Sequence, residues 1–232
     1  MKTIIIAGCS WGAGSWGDNG EIDHSGLAQY LMDIGYNVVN LSQPGLGPFS
    51  ILQPIDNFLY VNEKFLDIER IFILQSDIAR DMKPYDRHTS TTTYKLKAMD
   101  PTDLDNNIKH TYRDFYSKLN TCAETWQCKI SLIGGLTDLV MEFDLEFPHL
   151  DFTVPSWIQL IHPEAVPVYI HELENIPEQH KDKEQLLPFL DAVNATFRLF
   201  KKSAYFPDNL HPDRYGHKIL FDHLQDLGLL RI

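Results

Sequence analysis

Four short aliphatic runs set the architecture of this chain: Thr3–Gly8, Asn37–Leu41, Arg70–Leu74 and Lys129–Gly135. Each ends in a Gly-, Pro- or polar-rich break, and helical spacing follows. Apolar runs this short and this continuous predict strands buried on both faces. The intervening helices are predicted over 25–34, from Ile51 to Val61, from Leu104 to Leu119, from Lys183 to Phe200 and from Tyr215 to Leu227. Asp23 or Ser25 would cap the first, with Gly35 just past its end. Pro54 would lie near the start of the second, Asp100-Pro101 would begin the third, and Pro188 would bend the fourth. Strands alternating with helices make a parallel sheet covered on both faces, with right-handed crossovers. Ligands in such sheets bind at the carboxyl ends of the strands. Here those ends are Gly8–Gly12, Ser42–Gly47, Gln75–Asp77 and Gly134–Asp138.

With 232 residues, 44% of them hydrophobic, the chain can bury a sizeable core. No repeat and no composition shift divides it, so one domain over 1–232 is expected. Two stretches break the alternation. The polar 77–100 segment carries Thr-Ser-Thr-Thr-Thr and is expected to be a lid or binding loop. The 141–181 segment, rich in Pro, His and acidic residues, is expected to be an irregular insertion, with Val168-Tyr169-Ile170 as a strand-like piece.

A net charge of −12, with Lys and Arg scattered, provides no basic stripe for nucleic acid. It also disfavours anionic membranes. Three cysteines without a CxxC pair point to a reducing compartment. The first residues lack the apolar region of a signal peptide, and no run approaches the ~18 apolar residues of a spanning helix. A cytoplasmic protein without membrane insertion is therefore expected. Sequence leaves the oligomeric state open.

The chemistry is concentrated at the two ends. Ser10 follows the first strand, and Asp208-Asn209-Leu210-His211-Pro212 precedes the last helix. A serine hydroxyl becomes a nucleophile only when a histidine takes its proton and a third group holds that histidine's other nitrogen. His211 could be the base and Asp208, three residues earlier, its holder. The plainer alternative is that Asp208 only satisfies backbone N–H groups at a helix entry and that His217 only packs. Gly12 to Gly17 match GxGxxG, but no acidic residue ends the second strand to hold a ribose, so a dinucleotide site is disfavoured. His162, His171 and His180 lack metal-ligand spacing. Trp11 and Trp16 either line a pocket or pack in the core. Asn194-Ala195-Thr196 falls in a predicted helix and is discounted as a glycosylation sequon.

Gly8-Cys9-Ser10 with its following glycines, together with Asp208-x-x-His211-Pro212 and Gly216-His217, resembles the first and last signature blocks of the SGNH (GDSL-type) hydrolases. The resemblance implies a flavodoxin-like, three-layer α/β/α sandwich with a mainly parallel sheet. It also implies ester chemistry (esterase, lipase or carbohydrate deacylase) with Ser10, Asp208 and His211 as catalytic residues and no metal or cofactor. An oxyanion hole would combine the Ser10 N–H, a glycine N–H after the second strand (Gly45 preferred over Gly47) and an asparagine after the third. At that last position this chain reads Leu74-Gln75-Ser76-Asp77, so Ser76 stands where the asparagine should be, and Ser76 or Gln75 would have to donate instead. Cys9 replaces the aspartate usual before the nucleophile. The expected substrate is a small-molecule or glycan ester, with O-acetyl as one candidate. The alternatives are a binding or structural module on the same fold, or an acyltransferase using the same triad.

Overall fold

A computed structural model of the protein describes residues 1–16, 22–62, 66–82, 104–176 and 183–230. In chain order, β1 (Thr3–Ala7) runs into the single turn α1 (Ser10–Ala13) and a small antiparallel pair, β2 (Ser15–Trp16) and β3 (Ile22–Asp23). Then come α2 (Gly26–Asp33), β4 (Asn37–Asn40), α3 (Pro48–Asn62), β5 (Ile68–Leu74) and α4 (Leu104–Trp126). β6 (Ile130–Ile133), β7 (Leu150–Val154), α5 (Trp157–Ile161), α6 (Lys183–Phe200) and α7 (Arg214–Asp226) complete the order. The main sheet has the strand order β4-β1-β5-β6-β7, with every pairing parallel. Counted along the chain, its strands lie in the order 2-1-3-4-5, the flavodoxin-like arrangement.

Both faces of the sheet are covered, as buried strands require. Ile4 and Ile6 enter one apolar cluster with Leu27, Leu31, Trp157, Leu220 and Leu224 from α2, α5 and α7. Ile5 and Ala7 enter the other with Ile55, Leu59, Ile108 and Phe115 from α3 and α4. Burying one such aliphatic side chain contributes about 1.5–3 kcal/mol. Successive residues of β1 therefore hold two helical layers to one strand.

The order fixes where a ligand can sit. From β1 the chain crosses to β4 on one side, then places β5 on the other. The switch point lies between the carboxyl ends of β1 and β5, where adjacent crossovers diverge and leave a crevice. Ala7 pairs with Ile73 across this seam, so Ser10 and Ser76 each lie three residues beyond one matched pair.

Several local expectations need correction. The 141–181 segment is not irregular throughout: it supplies the edge strand β7 and helix α5. Leu150-Asp151-Phe152-Thr153-Val154 alternates apolar and polar because an edge strand is half exposed. The strand-like Val168–Ile170 is instead a loop, pinned by Val168 N donating to Asp138 Oδ2 at 2.5 Å. Of the 77–100 loop, Ile78–Met82 is a 3-10 turn, and residues 83–100 lie outside the described residues.

Helix α3 begins at Pro48 rather than near Pro54, which sits inside it. Proline suits a first helical position because the missing N–H had no partner there. Asp81 holds the next turn, accepting from Phe49 N and Ser50 Oγ at 2.8 Å each. The approach is so close that a Cβ on Gly47 would lie 2.4 Å from the Asp81 carboxyl carbon. The Ser25 side chain does not cap α2. Two imidazoles do: His24 Nδ1 accepts from Gly26 N at 3.1 Å and His217 Nδ1 from Leu27 N at 3.0 Å.

Candidate active site

Past β1 the chain turns at once. Cys9 O accepts from Gly12 N and Ala13 N at 3.0 and 3.1 Å, closing the single turn of α1. Ser10 is its first residue, so the Ser10 N–H has no intrahelical partner. Asn40 Nδ2 donates to Gly12 O at 2.9 Å and anchors this turn to the end of β4. Gly12 and Gly14, two of the glycines that matched a nucleotide loop, have local structural duties here. A Cβ on Gly12 would strike Ser42 Oγ at 2.4 Å, and Gly14 ends α1 at φ +74.

Ser10 and His211, 201 positions apart in the chain, close into one contact: Ser10 Oγ lies 2.9 Å from His211 Nε2. His211 Nδ1 lies 2.6 Å from Asp208 Oδ2. With a carboxylate facing Nδ1, that nitrogen carries the proton and Nε2 accepts from the serine hydroxyl. Asp208 Oδ1 also accepts from Leu210 N and His211 N at 2.9 and 2.7 Å, while Asn209 adopts φ +61. The helix-entry role and the histidine-holding role coexist in one carboxylate, each oxygen taking one. Ser10 is 7% exposed and the His211 side chain 21%, so the pair is sheltered yet not sealed from solvent.

Trp11 packs in the core beneath the site. It meets Trp157 edge-on at 5.3 Å and lies against Phe200 and Phe206. His217 is buried against Trp157, and burial pushes its pKa well below 6.5, with His24 adding to the effect. His171 is buried against Phe197, with its pKa pushed down to about 4 mainly by burial. His162 stacks on Phe206, and His180 lies outside the described residues. Among the described residues no group of three or more His, Cys, Asp or Glu could hold a metal ion. None of the described helices is long and apolar enough to cross a membrane.

Gly45 sits exposed in the loop after β4 at φ +81, flanked by the Leu46 N to Gln43 O bond. That loop is tied to the end of β1 by Gln43 N donating to Gly8 O at 3.1 Å. Gln75 and Ser76, expected as oxyanion donors, are committed elsewhere. The Gln75 amide donates to Asp138 O at 2.5 Å and to Thr137 Oγ1 at 3.2 Å, and its oxygen accepts from Tyr116 at 2.6 Å. Ser76 Oγ donates to Leu46 O at 2.6 Å. A serine hydroxyl has one proton to give, and that bond uses it.

Sequence reasoning missed the side chains that hold these loops. Tyr112 OH donates to Tyr169 O at 3.0 Å or Ser76 O at 3.2 Å and accepts from Ile78 N at 3.2 Å. Asp77 accepts from Ala79 N, His171 N and Glu172 N at 2.6–2.8 Å. Burial nevertheless outweighs those bonds and raises its pKa to about 6. Arg80 reaches Ser76 and Glu172. The helical spacing of Tyr112 and Tyr116 announces a core face, but nothing local signals where their hydroxyls go. An apolar cavity of about 360 Å³ between the start of α4, the 167–170 loop and α6 does not include Ser10, Asp208 or His211.

No family model and no curated protein sequence matches the chain. Solved structures do. An acetyl xylan esterase from Geobacillus stearothermophilus matches at 15% identity and TM-score 0.44, over 99% of this chain and 96% of that one. A lipase/acylhydrolase from Enterococcus faecalis matches at 16% and 0.44, over 100% and 98%. The acetyl xylan esterase AlAXEase matches at 9% and 0.46, over 98% and 99%. The chemistry rests on the contacts described above.

Proposed function

We propose that the protein is a serine hydrolase that cleaves a carboxylic ester, on a small molecule or a glycan, through an acyl-enzyme with a short acyl group such as acetyl. The unbroken Ser10–His211–Asp208 chain of hydrogen bonds, 2.9 and 2.6 Å, carries this reading. Ser10 Oγ attacks the carbonyl carbon as its proton passes to His211 Nε2, and the carbonyl π pair moves onto oxygen. Collapse of that oxyanion breaks the bond to the leaving oxygen, which takes the proton from Nε2. Water then gives a proton to the same nitrogen and attacks the acyl carbon, and Ser10 departs with its proton restored. Such positioned proton transfer is worth about 10²–10⁴ in rate. Asp208 keeps the ring in the required tautomer and stabilises its protonated form. The Ser10 N–H, unused within α1, and Gly45 in the neighbouring loop are the backbone groups proposed to face the oxyanion.

The wild type should hydrolyse a short-chain aryl ester, and Ser10→Ala should abolish turnover with the thermal midpoint retained. Equal rates in the two proteins would refute the assignment. A protein that binds esters without turning them over would be favoured by the diversion of Gln75 and Ser76. It would show no turnover in the wild type at any enzyme concentration.

A further inference from the structure

We propose that Arg80 supplies the side-chain donor to the ester oxyanion that Gln75 and Ser76 do not. This rests on the ester-cleaving reading of Ser10 and goes one step further, to the group that receives the developing charge.

The position follows from the sheet. Ser10 and Ser76 extend β1 and β5 equally far past their matched pair, on the two sides of the switch point. Arg80 lies on the turn that follows, with its side chain only 11% exposed. Its guanidinium is fixed in two directions. Nε donates to Glu172 Oε1 at 2.7 Å, and Nη1 donates to Ser76 Oγ at 3.2 Å. Ser76 in turn donates to Leu46 O, next to Gly45. The guanidinium therefore stands at the meeting point of the β4 and β5 loops.

The remaining donors give this placement its chemistry. A guanidinium carries five N–H groups in a rigid fork. Nε and Nη1 have partners, whereas Nη2 makes no hydrogen bond among the described residues. A pre-oriented, charge-bearing donor across the switch point from a nucleophile suits an oxygen that gains charge only as the nucleophile adds. When Ser10 Oγ bonds to the carbonyl carbon, the displaced π pair on oxygen accepts from Nη2–H. When the carbon–oxygen bond to the leaving alcohol breaks, the pair returns and the hydrogen bond weakens. Arg80 gains and loses no proton in this cycle. Ser76 keeps a use that its identity alone did not suggest: its lone pair aims the fork.

The test is steady-state kinetics of Arg80→Gln on a neutral aryl acetate, with the low-field proton resonance of the Asp208–His211 hydrogen bond read in the same sample. The expected result is a fall in kcat on the order of 10²–10³, KM little changed and the resonance retained. Arg80→Lys, which keeps the charge but not the fork, should fall between Gln and wild type. If Arg80→Gln does not fold, Arg80→Lys carries the test alone. An unchanged kcat overturns the inference. So does loss of the resonance together with activity, which makes Arg80 a structural tie. A rise in KM confined to anionic esters overturns it as well and makes Arg80 a substrate anchor. Failure of the ester-cleaving reading is distinct, since the wild type itself would then be inactive.

Discussion

Asp208→Asn tests the site at its most specific point. The two carboxylate oxygens have separate duties: Oδ1 accepts from Leu210 N and His211 N, and Oδ2 accepts from His211 Nδ1. Asparagine has one acceptor oxygen and one amide NH2. The oxygen will take the Oδ1 position, because two backbone N–H groups there would otherwise face an NH2. The amide nitrogen then faces Nδ1 and can only donate. The imidazole must shift its proton to Nε2, which then cannot accept from Ser10 Oγ. The turn stays capped and the fold intact, but the base is lost. A wrong tautomer in this kind of triad costs about 10⁴ in kcat. That corresponds to roughly 5.5 kcal/mol at 1.36 kcal/mol per decade. The assay is kcat on an aryl acetate beside a thermal melt, and the midpoint should stay close to that of the wild type. A loss under tenfold would refute the tautomer argument. A large drop in midpoint would show that the activity loss came through the turn rather than the ring.

Two further outcomes follow from the loops and helices around the site. Tyr116→Phe removes a hydroxyl that donates to Gln75 Oε1 and accepts from Val140 N inside the core. Two buried groups lose their partner at about 1–3 kcal/mol each. At ~2–4 °C per kcal/mol for a chain of this size, the midpoint should drop roughly 4–24 °C with turnover retained. A drop of a degree or two would mean that the two groups find other partners. His217→Gln tests the second imidazole cap. The His217 pKa lies well below 6.5 in the folded protein, so the unfolded chain binds a proton that the folded one refuses as pH falls through 6.5. Wild-type stability therefore falls through this residue as pH drops below 6.5. Asp77 and Asp138, raised to about 6, act with the opposite sign. They are common to both proteins and cancel in the comparison. The stability deficit of His217→Gln should shrink by about 1 kcal/mol between pH 6.5 and 5.5, as read by denaturant unfolding. A deficit independent of pH would count against a neutral, buried His217.

What could be read from the chain, and what could not, divides along physical lines. The central strands were legible because burial on both faces leaves an unmistakable run, as in Thr3–Ala7 and Ile68–Leu74. The edge strand β7 was not, because its Leu-Asp-Phe-Thr-Val alternation is short and sits in a Pro- and His-rich stretch. Asp208 and His211 were legible because their contact closes within one turn of chain. Ser10 joined them through its place at the end of the first strand. Gln75 and Ser76 were correctly placed at the end of β5, but their side-chain directions are set by Tyr116, Thr137, Asp138 and Leu46, which approach from other elements. Arg80 falls in the same class. Its neighbours Ser76 and Glu172 are 4 and 92 residues away, and no spacing rule joins the three.

The account stands on Ser10 being the atom that is acylated. Wild-type protein treated with an aryl fluorophosphonate, digested and mapped by mass spectrometry should carry the phosphonyl group on the peptide containing Ser10, and His211→Ala should slow its attachment. Unmodified Ser10 after exhaustive treatment, or a label placed on another residue, would contradict it.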